Sequence, residues 1–136
     1  MDHLSRFFEK FDSGPGATDE QIASAEAELG TKLQAGYVEF LKSRNGGEGV
    51  IGESYAALWE VSELASKNSS YESQKWAPGI LLFGSDGGGE AFGFDTRDSN
   101  WPIVQIPFIG MYWEEARPLG STFSQFVENL YVWNRL

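Results

Sequence analysis

The run Gly84-Ser85-Asp86-Gly87-Gly88-Gly89-Glu90 concentrates the residue types in this sequence that could do chemistry: a glycine-rich loop between carboxylates. Such loops cradle phosphates when they read GxxxxGK[ST], or GxGxxG opening a helix, with positive potential over the anion. Neither pattern is present, and no Lys or Arg occurs from Trp76 through Thr96. Asp86 and Glu90 would repel a nucleotide. A calcium loop needs alternating acidic ligands, and Asp86-Gly87-Gly88 breaks that alternation. What remains is conformational: three glycines tolerate positive φ and close backbone approach. The loop therefore reads as a hairpin turn with solvated carboxylates.

Other catalytic chemistries are narrow. The sole histidine, His3, stands beside the chain start, and there is no cysteine. Ser-His-Asp and Cys-His nucleophiles, thiolate metal sites and His-based zinc sites are thereby nearly excluded. Carboxylates alone survive as acid and base, and paired Asp or Glu with abundant Trp would suit a glycan. With twenty acidic residues in the chain, however, a pair proves nothing. No enzyme activity, metal or cofactor is expected.

Charge points to binding instead. The formal net charge is −10, with −3 in residues 1–44 and −7 in residues 45–136. Two stretches, 45–66 and 98–116, contain acids and no base. Such a surface disfavours nucleic acid and anionic membrane and suits a basic protein partner. The expected partner-binding residues are Asp86, Glu90, Glu114 and Glu115, with Trp113 as an aromatic anchor. Glu48, Glu53, Glu60 and Glu63 form the second acidic stretch.

These groups need a scaffold. A chain of 136 residues fits one domain that buries roughly 68% of its unfolded surface. Ten Phe, five Trp and five Tyr supply its core. The start, MDHLSRFFEKF, lacks a long apolar segment, so neither signal peptide nor membrane span is expected. A reducing cytoplasm is compatible with the absent cysteine.

Leu4, Phe7, Phe8 and Phe11 have helical spacing and predict a short amphipathic helix ended by Gly14-Pro15-Gly16. Thr18 opens a second helix, with Gln21 completing a capping box and Gly30 placed as C-cap. Leu33, Tyr37, Phe40 and Leu41 build a third, stopped by Asn45-Gly46-Gly47. Tyr55 to Trp59 reads as a strand, Ser62 as the cap of a brief helix, and Asn68 to Lys75 as loop. Leu81 to Phe83 and Phe92 to Phe94 form the strands flanking the glycine loop. Pro102 to Phe108 adds another strand, with Val104 and Ile106 on one face, and Tyr112 to Ala116 a further one. Ser121 or Thr122 caps a last helix that buries Phe123, Phe126, Val127 and Leu130. Helices, then antiparallel strands, then a helix indicate α+β.

Two runs of residues together resemble a known family. The first is Thr18, Ile22, Glu26, Leu29-Gly30, Leu33, Tyr37, Phe40-Leu41 and Asn45-Gly46-Gly47, followed by Trp59 and Glu63-Leu64. The second is Phe83 to Glu90, Phe92, Phe94-Asp95, Pro102-Ile103-Val104, Leu119, Ser121, Phe123, Phe126 and Leu130. In order and spacing they resemble the SUKH superfamily, which includes the Smi/Knr cell-wall-assembly regulators and many bacterial immunity proteins. Gln34 departs from the family's usual proline, and Glu90 from its commoner aspartate. The resemblance implies a single Smi/Knr-like domain over residues 1–136, α+β in class. One antiparallel sheet would carry amino-terminal helices and a carboxy-terminal helix packed around it. It also implies no catalysis and a protein partner: a toxin, often a basic nuclease, for an immunity protein, or another cellular protein for a regulatory scaffold.

Overall fold

The computed structural model describes residues 2–132, and their side chains from residue 4 onward. The side-chain reading of His3 lies outside the described residues. Seven antiparallel strands form one sheet whose order follows the sequence. They are β1 (Phe11–Asp12), β2 (Gly47–Ile51), β3 (Ser54–Leu58), β4 (Ile80–Ser85), β5 (Glu90–Asp95), β6 (Ile103–Pro107) and β7 (Arg117–Gly120). Helices α1 (Asp19–Leu29) and α2 (Ala35–Ser43) precede most of it, α3 (Leu64–Ser70) and α4 (Ser73–Trp76) interrupt it, and α5 (Phe123–Val132) follows.

Local chemistry starts and stops these helices. The Thr18 hydroxyl accepts from the Gln21 amide while the Gln21 side chain accepts from the Thr18 amide, completing the capping box. Gly30 ends α1 in the left-handed conformation. Gln34, the family's missing proline, is the N-cap of α2, and its Oε1 accepts from the Tyr37 amide at 3.0 Å. The departure is thus compensated by a side-chain cap.

The sheet buries both faces at its centre. Along β4, Leu81 and Phe83 enter one core while Ile80 and Leu82 enter the other. The larger core is aromatic: Phe83, Phe92 and Phe94 meet Tyr37 of α2 and Phe123 and Phe126 of α5, with ring centroids 4.7 to 6.4 Å apart. Offset and edge contacts of this kind add to the apolar area they bury. Burial also pushes the Tyr37 phenol far above its ordinary pKa. The smaller core holds Ile80, Leu82, Ala91, Val104, Ile106 and Met111.

Four local expectations need correction. Leu4, Phe7, Phe8 and Phe11 are all buried, and the expected short helix is present as a 3-10 helix, but it ends at Phe8, and Phe11 belongs to β1, paired with Gly49. Residues 68–75 are not loop: they span α3 and α4, and Asn68 and Ser73 are buried. Glu60, not Ser62, is the N-cap of the short 3-10 turn Val61–Glu63 that leads into α3. Tyr112 to Ala116 holds a 3-10 turn, Trp113–Glu115, and the strand comes after it as β7.

Asn68 supplies what β3 is too short to give. Only Ala57 and Leu58 of β3 pair with β4, at Ser85 and Gly84. Leu82 would therefore face the gap unpaired. Its amide donates to Asn68 Oδ1 at 2.9 Å, and its carbonyl accepts from Asn68 Nδ2 at 2.9 Å. The same side chain donates to the Leu64 carbonyl and accepts from the Ser73 hydroxyl. One carboxamide thus replaces a strand neighbour.

Candidate functional site

The glycine loop is a hairpin turn between β4 and β5, as its composition requires. Asp86 Oδ1 accepts from the amides of Gly88 at 2.8 Å and Glu90 at 3.2 Å, and the Asp86 amide donates to the Glu90 carbonyl. The carboxylate of Asp86 therefore organises the turn as well as charging it. Of its three glycines only Gly87 has positive φ, at 81°. A Cβ there would stand 2.5 Å from the ring of Tyr55, whose hydroxyl donates to Glu48. At Gly88 and Gly89 a Cβ meets nothing closer than 3.4 Å. Gly87→Val is expected to destabilise by about 1 to 3 kcal/mol through backbone strain and displacement of Tyr55. Gly88→Val and Gly89→Val should leave the thermal melt nearly unchanged. Equal melts for all three variants would contradict this assignment.

Glu90 opens β5 in a partly buried position. Gln105 Nε2 lies 3.5 Å from its Oε1, and Arg117 approaches the same oxygen at 3.8 Å. The side chain is thus held across β6 and β7 and is only partly neutralised. The connection from β6 to β7 then folds over the second face of the sheet. It starts where the Phe108 amide donates to the Gly89 carbonyl at 2.9 Å, and it plugs Met111 into the smaller core.

Trp113 lies at the opposite end of the β4–β5 hairpin. Its Nε1 donates to the Pro78 carbonyl at 2.8 Å, and the Arg97 guanidinium stands 3.6 Å above its ring. Arg97 is itself held by Asp95 through bonds of 2.9 and 3.1 Å, which keep the Asp95 carboxyl below its ordinary pKa. Glu114 and Glu115 follow on the 3-10 turn, both exposed. They form no ion pair among the described residues. The fold therefore brings Asp86 together with Glu90, and Trp113 together with Glu114 and Glu115, but separates the two groups by the length of β4.

Folding also changes the charge picture. Although no base lies within the loop's own stretch of sequence, Arg117 returns from β7 to Glu90, and Arg97, just after β5, pairs with Asp95. The second acidic stretch stays more open: Asp12 faces Glu48 directly across β1 and β2, and both line a trough of about 620 Å³ with Glu60 and Glu63. Lys67, over the Trp59 ring, is the one base that lines it.

Sequence reasoning missed the exposed apolar residues of this side. Ile109 is 95% exposed, and Tyr71, Trp76 and Tyr112 are each 41 to 49% exposed. Phe108-Ile109-Gly110 carries the available signal, an apolar pair just before a turn glycine, of which the expected strand Pro102 to Phe108 takes only Phe108. Residues 16–129, which contain the α1 capping box, the Asn45-Gly46-Gly47 junction and the glycine hairpin, match the profile of the SMI1/KNR4 family (SUKH-1). The chain belongs to the SMI1/KNR4 family. Among curated proteins no match is found. For this SMI1/KNR4 domain, membership supports a protein-binding role of regulatory or immunity type. No described helix is long and apolar enough to cross a membrane.

Proposed function

We propose that this SMI1/KNR4 domain is an immunity protein, acting in the cytoplasm, that binds a basic toxin domain of nuclease type and occludes it. The binding residues in this reading are Asp86, Glu90, Trp113, Glu114 and Glu115. The observation that carries it is a net charge of −10 on a member of this family, with Glu114 and Glu115 exposed and unpaired among the described residues. Enzymes that grip polyanions present basic clefts, so a carboxylate-rich surface competes for the same potential and is steered to it rapidly. The chain works by binding alone. A regulatory scaffold for another cellular protein is the second reading, favoured by the same family membership.

Stopped-flow association with the product of the adjoining gene tests the mechanism. Asp86→Asn with Glu90→Gln should slow association several-fold at low salt and flatten its salt dependence, because steering acts on the on-rate. A wild-type on-rate insensitive to salt would remove the electrostatic reading. An adjoining product that is acidic or does not bind would favour the regulatory scaffold.

A further inference from the structure

The geometry points to Ile109, backed by Phe108 and Tyr71, as the apolar anchor of the contact with a basic protein surface. This inference rests on the proposed binding of a basic partner and names the part of the surface that makes it. Ile109 is 95% exposed, whereas the next most exposed large apolar side chain among the described residues, Tyr112, reaches 49%. An isoleucine at a turn tip contributes nothing to the core, and turn tips are ordinarily polar. Its whole apolar side chain is therefore available to a partner.

The residue before Ile109 is held in place by contacts on two sides. Phe108 is fixed by the hydrogen bond that its amide donates to the Gly89 carbonyl, and it packs against the smaller core. Its ring lies 4.5 Å from that of Tyr71, which in turn stacks on Trp59 at 12° between planes. The residue after Tyr71, Glu72, holds a left-handed φ of 54° although it is not glycine. Strained backbone of that kind persists where the surrounding structure fixes it. An anchor presented from such a support loses little conformational freedom on binding.

Charge selects the occupant. The Gly89–Phe108 bond joins Ile109 to the loop bearing Asp86 and Glu90, and the exposed Glu114 and Glu115 follow in the same connection. A second copy would bring another charge of −10 against these carboxylates. A basic partner meets them favourably, and an apolar socket ringed by Lys or Arg would receive Ile109. A hot spot pairs an apolar anchor with flanking polar contacts; here Ile109 is the anchor, and the carboxylates lie on the loop bonded to Phe108 and further along the same connection.

The test uses the product of the adjoining gene, purified in an inactivated form, and measures surface-binding kinetics and thermal melts. Ile109→Asp should raise the off-rate about tenfold or more without shifting the melt, and Ile109→Leu should restore it. Wild-type binding that Ile109→Asp leaves unchanged overturns this inference and leaves the proposed function standing. Absence of wild-type binding overturns both. Sedimentation showing a wild-type dimer that Ile109→Asp dissociates would assign the patch to self-association and overturn the partner assignment.

Discussion

Replacing Asn68 with Ala is expected to cost about 2 to 4 kcal/mol, well above the usual effect of a polar substitution, because several buried groups lose their partner at once. The Leu82 amide and carbonyl sit in the smaller core beside a strand that does not reach them, and Asn68 satisfies both. Ser73 loses an acceptor in the same change. Asn68→Asp should cost more, since a carboxylate cannot donate to the Leu64 and Leu82 carbonyls and is buried as a charge. Urea denaturation reads the effect as a lower midpoint at constant slope. Hydrogen exchange should quicken most at the Leu82 amide. A loss below about 0.5 kcal/mol would mean that the edge of β4 is satisfied in another way.

Gly47→Val is expected to be of similar size, about 3 to 5 kcal/mol, from strain and overlap together. Gly47 has φ of 133°, and a Cβ there would stand 2.5 Å from the Asp12 carbonyl oxygen and 2.7 Å from the Phe11 ring. The short edge strand β1 can approach β2 because Gly47, like Gly49 opposite Phe11, lacks a side chain. Gly14→Val, where a Cβ would meet nothing within 4 Å, is the matched control and should melt nearly as the wild type. Comparable melts for the two variants would contradict the close approach.

These two positions show what the sequence reveals and what it hides. Asn45-Gly46-Gly47 reads as a helix stop, and α2 does end at Ser43, but Gly47 also begins β2 and admits β1. That second role depends on residues 35 positions away and leaves no local pattern. Asn68 lies in a polar run whose short helices have too few turns to show an apolar stripe, and its partner Leu82 is distant in sequence. Where pattern and packing agree, reading works: the capping box of α1, the four apolar residues of α5, and the two strands flanking the glycine loop are all as expected. The candidate site was legible as charge but not as arrangement. Its carboxylates follow from composition, whereas the placement of Arg97 over Trp113, the approach of Arg117 to Glu90 and the prominence of Ile109 follow only from the fold.

Titration of the purified domain into the active product of the adjoining gene tests the central claim most directly. The expected result is complete loss of the toxin's activity on nucleic acid at one equivalent, with tight binding at low salt that weakens as ionic strength rises. A toxin that stays fully active while the complex is shown to form would contradict occlusion by this acidic face.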